Sequence, residues 1–480
     1  MNNSKTIKQG ITWQALESVY YFALNFLLIL IVARYIDAGM YGTYTTLFVV
    51  VVFLSEITDF GFKNIIIRQQ YTEEKIYVVY ILLLISACLI LLLYELTVSF
   101  FWDRYQLALG SILYAQTFGI LIPLLAVNNF LTNVYRKDLR FKRVAIVRSL
   151  SYSITFVTTI GLTALYRDKW GLLIGLTAGE IIRLLTFRTG LDWQKSKAGL
   201  NQLNQYLNEF RNSAGLYISH LLGYMSRNID YLLIAALLSV EAVGVYALAY
   251  KIMSAPVRQI GGIINKIMFP IYGREKEMAT ITEMFCFSIR TIAFYSSIVF
   301  FILASISQNL IDLLFTSEWK DTGSVLAIMS MAGIFLIIHN ATEPLLKITV
   351  SQKTLVFRQM FYLVVIVACV TAGAMFDLIW ACVGFLAALF LSFVLSVKIS
   401  FDSIGADFRP TSTRMIEYLL LGVIFYFVNK AVLLFGAQFS ESLVIPFILL
   451  LDMGLLAAVL KIYRRRNETG DRSIFIPGFL

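Results

Sequence analysis

Apolar runs of membrane-spanning length recur along the whole chain and leave it little freedom in what it can become. A helix needs about 20 predominantly apolar residues to cross the hydrocarbon of a bilayer, and inside lipid each segment must satisfy its own backbone polar groups. By that ruler the 480 residues hold about fourteen candidate spans, at 13–36, 43–62, 76–100, 107–131, 144–166, 170–189, 214–238, 244–268, 287–311, 323–347, 355–376, 378–398, 415–436 and 443–463. Only 15% of the residues are charged and 59% are hydrophobic, against about a quarter charged in soluble domains. The expected fold class is therefore all-α, a polytopic membrane protein. Lys5 and Lys8 precede a first span of full length with no small-residue cleavage site, so the N-terminus reads as a transmembrane helix rather than a removed signal.

The net charge of +10 could suggest a nucleic-acid partner, but the basic residues lie in short clusters between apolar runs, which membrane topology explains better. With the N-terminus inside, one set of loops holds Arg136, Lys137, Arg140, Lys142 and Arg143, then Arg188, Lys195, Lys197 and Arg211, then Arg274 and Lys276, and finally Arg464, Arg465 and Arg466. Of the 40 basic residues about 28 fall on that side and about five on the other. Both termini are then cytoplasmic. The outer loops are short, the longest lying near SQNLIDLLFTSEWKDTG, so no outer domain is expected to hold an active site. Cys88, Cys286, Cys369 and Cys382 are scattered with no CxxC, and there are two histidines. Neither a metal site nor a disulfide framework is expected.

The longest inner connection, TGLDWQKSKAGLNQLNQYLNEFRN, divides the chain after six spans. Laying residues 31–44 over 233–246 matches Ala33 with Ala235, Gly42 with Gly244 and Tyr44 with Tyr246, and each copy ends one span, turns and begins the next. The same register puts Glu56 with Arg258 and Asn25 with Arg227. These matches point to a duplication of two like-oriented bundles enclosing a central cleft, a habit of transporters. The expected organisation is an N-terminal six-helix lobe with the inner linker at 1–205, a second six-helix lobe at 206–400, and an additional helix pair with a cytoplasmic tail at 401–480.

An ionisable residue near the bilayer centre costs at least about 2.5–3.5 kcal/mol and marks a functional candidate. Arg227 lies near the middle of its span with Asp230 at i+3 on the same helical face. Lys251 and Arg258 share a face of the next span, with Pro256 between them as a kink. Arg34, Arg148 and Arg183 complete the candidate cations, and they have a structural alternative as snorkelling interfacial residues. Arg227 and Asp230 also have one, as a mutually neutralising pair that locks packing. Glu17, Glu56, Asp59, Asp230 and Glu343 are candidates for gating or for coupling to H+ or Na+, with Glu56 a candidate partner of Arg258. His220 and His339 could titrate or simply pack.

ARYIDAGMYGTY, DFGFKNIIIRQ and RNIDYLLIAALLSVEAVGVYALAYKIMSAPVRQIGGIINKIMFPIY together resemble the Wzx-type polysaccharide flippases of the multidrug/oligosaccharidyl-lipid/polysaccharide (MOP) exporter superfamily, over residues 5–400. The resemblance implies transport of undecaprenyl-pyrophosphate-linked oligosaccharide repeat units, such as those of O-antigen and lipopolysaccharide, across the bacterial cytoplasmic (inner) membrane. It also implies membrane lipids as surroundings, with polysaccharide polymerase and glycosyltransferases as candidate partners. The six cations would then meet the diphosphate, while Asn128, Asn129, Tyr224 and Tyr246 are candidates for sugar contacts. No catalytic residue, metal or organic cofactor is expected, and no GxxxxGK[ST] loop occurs, so ATP hydrolysis is not expected. Two rivals remain: an exporter of another small or lipidic substrate in the same superfamily, and a membrane polysaccharide polymerase or ligase. An exporter of organic cations should line its cleft with acidic or aromatic groups, and a polymerase or ligase should carry a sizeable outer loop.

Overall fold

A computed structural model describes residues 2–59, 73–109, 111–189, 217–436 and 441–468, and among them every regular element is helical. The first half contains α1 (Asn2–Val32), α2 (Ala38–Ile57), α3 (Glu73–Leu109), α4 (Ile112–Gly119), α5 (Leu121–Lys137), α6 (Phe141–Tyr166) and α7 (Trp170–Arg188). After the inner connection come α8 (217–226), α9 (Ile229–Leu237), α10 (Val240–Arg274), α11 (Met278–Leu314), α12 (Thr322–Ala341), α13 (Glu343–Thr349), α14 (Gln352–Ala374) and α15 (Leu378–Ile404). The last described elements are α16 (Arg409–Phe435) and α17 (Glu441–Glu468). Most of DFGFKNIIIRQ, nearly all of the inner connection and the expected lobe boundary at 205/206 lie outside the described residues.

Among the described residues, 12 helices are long and apolar enough to cross a membrane. The expected spans at 214–238 and 244–268 do not add to that number. The first is split into α8 and α9 by a turn at Arg227 and Asn228, and the second lies within the 35-residue α10, which carries Glu241, Lys251, Arg258 and Arg274. The helices gather into two units, Met1–Gly244 and Val245–Leu480.

Within the first unit α6 and α7 form a tight antiparallel pair. Gly171, Gly175 and Gly179 recur every fourth residue along α7, and a Cβ on each would press into Thr163, Thr159 and Thr155 of α6. Small residues at that spacing let backbones approach where lipid offers no hydrophobic driving force between helices. The Ser151 hydroxyl, also on α6, donates to the Gly179 carbonyl at 2.8 Å. In the second unit α14 and α15 are built alike, Gly373 lying against the Trp380 carbonyl and Gly384 against that of Cys369. α16 packs on α11 and α17 on both, so the additional pair is anchored to the helix that follows α10.

The duplicated glycines meet each other. A Cβ on Gly42 of α2 would strike the Val240 carbonyl, and one on Gly244 would strike the carbonyl of Ala38. In the repeat register Gly42 corresponds to Gly244 and Ala38 to Val240. The contact is therefore reciprocal, the arrangement a local two-fold imposes when a surface meets its own copy.

Candidate functional site

The interruption of the seventh span has a local cause. Asn228 donates its side-chain amide to the Tyr224 carbonyl at 2.8 Å, a competition with the helical ladder that short polar side chains provide. The Asn228 N–H turns back to Met225 at 3.0 Å and that of Arg227 to Tyr224 at 3.2 Å, and α9 starts with Asn228 as its N-cap. Tyr217 and Tyr224, seven residues apart on one face of α8, donate their hydroxyls to the carbonyls of Ile57 at 2.8 Å and Val49 at 2.9 Å. These bonds lay α8 along α2. Arg227 is exposed in the turn, whereas Asp230, at 1% exposure, is buried in the first turn of α9. The expected i,i+3 face is thus absent, because no continuous helix joins the two residues.

The six candidate cations separate into two groups. Arg148 of α6 binds Glu17 of α1 at 2.7 Å and lies over the Tyr152 ring. Arg183 of α7 is buried against Glu180 at 3.2 Å, and it donates to the Thr132 hydroxyl at 2.7 Å and the Asn128 carbonyl at 3.3 Å, both on α5. Asn128 donates in turn to the Glu180 carboxylate at 2.7 Å. These two arginines are committed to joining helices. Arg34 lies exposed in the turn between α1 and α2, Arg227 in the turn between α8 and α9, and Arg258 is exposed on α10, where Lys251 is half-buried. None of these four is in an ion pair among the described residues.

The acidic candidates are mostly engaged. Glu56 faces His220 at 3.6 Å, Glu343 binds Lys347 at 2.7 Å, and Asp59 is buried in the turn that ends α2. Of the sugar-contact candidates, Asn128 belongs to the Arg183 network, Tyr224 is tied to α2, and Tyr246 is fully buried beside Phe385. Asn129 is half-buried and accepts from Arg183 at 3.4 Å. Outside the spans, Lys169 lies over the Tyr114 ring at 4.9 Å, and burial pushes its amine below the usual lysine range despite the carboxylates of Asp168 and Asp37.

Two buried polar clusters were missed from the sequence. In one, Arg358 of α14, 7% exposed, reaches Ser396 of α15 at 3.4 Å and His339 of α12 at 3.5 Å, and His339 also meets Ser396 at 3.0 Å. This cluster ties α12 to α15 as the Asn128 network ties α5 to α7, so the corresponding helix pairs of the two halves are both joined by polar bonds. The other joins Ser305, Asn429 and Asp452 on α11, α16 and α17. The signal for both was present as Arg358 and Asp452 within apolar runs.

The chain matches the family described as polysaccharide biosynthesis protein over residues 31–324. It is 22% identical to the lipopolysaccharide biosynthesis protein WzxC of Escherichia coli K12, covering 84% of this chain and 83% of that protein. With the succinoglycan biosynthesis transport protein ExoT of Rhizobium meliloti it shares 23% identity over 97% of both chains. Among solved structures, the lipid II flippase MurJ in an inward closed conformation aligns with a TM-score of 0.73 and 12% identity, over 94% of this chain and 99% of that one. An inward-facing multidrug resistance MATE transporter of the MOP superfamily aligns with a TM-score of 0.64 and 14% identity, over 81% of this chain and 95% of that one. The family match covers more than half of the chain, and the solved structures share its helical fold, so the chain belongs to the polysaccharide biosynthesis protein family.

Proposed function

We propose that this chain flips undecaprenyl-pyrophosphate-linked oligosaccharide repeat units from the cytoplasmic to the outer leaflet by alternating access, with unpaired cations receiving the diphosphate. The observation that carries the reading is the division among its arginines and lysines. Arg148 and Arg183 are consumed by carboxylates, whereas Arg34, Arg227, Lys251 and Arg258 have none among the described residues. A cation held in a membrane span without a counter-charge is costly unless a wet path or an anionic ligand meets it. Charge-assisted bonds to phosphate oxygens are the strong kind available to arginine. The broken span fits the same chemistry, since transporters commonly place substrate groups where a span is discontinuous.

Arg34 and Arg227 belong to the first unit, and Lys251 and Arg258 to the second. An organic-cation exporter would be poorly served by them. The connections at 167–169 and 375–377 are a few residues long, too short to carry the positioned groups of a polymerase. H+ or Na+ is proposed as the coupling ion, and the polymerase and glycosyltransferases that handle the same donor as functional neighbours.

The test is transbilayer movement of a fluorescent undecaprenyl-pyrophosphate glycan in liposomes holding the purified protein. Movement that is lost in Arg227→Ala and Arg258→Ala, both folded, supports the reading. Normal movement in both variants returns those arginines to packing, and no movement by the intact protein with authentic donors points to another exported substrate.

A further inference from the structure

We propose that Asp452 and Asn429, with Ser305 beneath them, form a binding site for a monovalent cation, a proton or sodium, between the additional helix pair and α11. Asn429 is fully buried, Ser305 is fully buried and Asp452 is 4% exposed. The Asn429 amide nitrogen donates to one Asp452 oxygen at 3.1 Å and to the Ser305 hydroxyl at 3.2 Å, and that hydroxyl donates onward to the Ile302 carbonyl at 2.6 Å. Every donor in the cluster is thereby spent. Two acceptors are left over: the other carboxyl oxygen of Asp452 and the amide oxygen of Asn429 are both buried and have no hydrogen-bond partner.

Leftover acceptors on adjoining residues call for a positive guest. A carboxylate buried in a span is costly unless it is paired, and it acquires a proton or a metal ion when no basic side chain serves. Among the described residues no such side chain serves here. The charged residues of the helices packed around Asp452 are engaged elsewhere or lie outside the cluster: Arg290 bonds Thr411, Arg414 pairs with Glu417, and Lys430 lies over the Tyr426 ring at 5.9 Å. Glu283, Asp312, Arg409, Glu441, Lys461, Arg464, Arg465, Arg466 and Glu468 lie more than a turn along their helices from the bonded residues. Ile306, next to Ser305, and Ile448, about one turn from Asp452, form with Val444 an apolar cluster beside it.

Charge and donor type narrow the guest. A single carboxylate balances one positive charge, and among the described residues no group of three His, Cys, Asp or Glu side chains is placed to hold a metal. Divalent ions of the calcium type usually gather several carboxylates. A sodium ion would take the two leftover oxygens together with the Ser305 hydroxyl oxygen, whereas a proton would sit on Asp452 and be donated to the Asn429 amide oxygen. In either case one bound charge satisfies both orphaned acceptors.

The test uses the purified full-length protein in detergent and reads its thermal unfolding midpoint. In the sodium arm, replacing choline chloride by sodium chloride at equal ionic strength raises the midpoint by about 2 °C or more, potassium chloride does not, and Asp452→Asn abolishes the response. In the proton arm sodium has no effect, the midpoint rises as the pH falls because the fold binds the proton, and Asp452→Asn flattens that dependence. Should Asp452→Asn not purify as a folded protein, Asn429→Leu, which removes the amide oxygen and keeps the carboxylate, is read in the same two series. Identical sodium and pH responses in the intact protein and a folded variant overturn the proposal. The measurement involves no glycan, so its failure leaves the flippase reading untouched.

Discussion

At the scale of the residue, the decisive distinction is between arginines that hold the fold together and arginines that form no ion pair among the described residues. Removing Arg183 strands the Glu180 carboxylate, 7% exposed, with Asn128 as its remaining side-chain partner among those described. Breaking a buried pair from one side typically costs about 3–5 kcal/mol, far above the roughly 0.6 kcal/mol of an average interhelical hydrogen bond in a membrane. Arg183→Ala is therefore expected to lower the unfolding midpoint and the folded yield. Replacing both partners together, as Arg183→Met with Glu180→Gln, should recover much of the loss because no charge is left unpaired. Arg227→Ala should do the reverse, leaving stability within about 0.5 kcal/mol, as for exposed positions generally, while transport falls. Thermal unfolding and the liposome assay on the same preparations check both, and equal stability loss in the two single variants would end the distinction.

At the scale of the element, close backbone contact makes its own prediction. A methyl group on Gly42 or Gly244 meets a carbonyl oxygen, which cannot rotate away as a side-chain tip can. Overpacking of this kind costs about 1–3 kcal/mol or more, so Gly42→Ala and Gly244→Ala should each reduce the yield of folded protein in a size-exclusion profile. Gly161 on the same kind of helix has open space around its would-be Cβ, and Gly161→Ala should be neutral or stabilising by about 0.5–1 kcal/mol. These elements also mark how far the sequence could be read. Most span positions were legible because lipid demands a fixed length of apolar residues, and the correspondence of Gly42 with Gly244 was legible from the shared register, whereas their close contact was not. The break at Arg227 was not, since no glycine or proline announces it and Asn228 interrupts the helix through a bond to a carbonyl on its own span. Arg227 and Arg183 look alike as letters within apolar runs, and only the geometry of Glu180, Asn128 and Thr132 separates them.

At the scale of the whole molecule, the positive-inside rule assigns a side of the membrane to every connection, and alternating access for a lipid-linked glycan depends on that assignment. The turn at 138–140 follows Arg136 and Lys137 and precedes Lys142 and Arg143, so it should face the cytoplasm. The turn at 167–169 joins α6 to α7 on the opposite side, although it too carries Arg167 and Lys169. Two basic residues there are outweighed by the denser cluster at the other end of α6. Leu139 is 44% exposed and Arg167 is exposed as well, so a cysteine at either place is open to a reagent. In a background with Cys88, Cys286, Cys369 and Cys382 replaced by serine or alanine, Arg167→Cys should react with a membrane-impermeant maleimide in intact spheroplasts. Leu139→Cys should react only after the membrane is opened. The opposite pattern would invert every loop, place Arg464 to Arg466 outside, and reverse the direction of flipping proposed above.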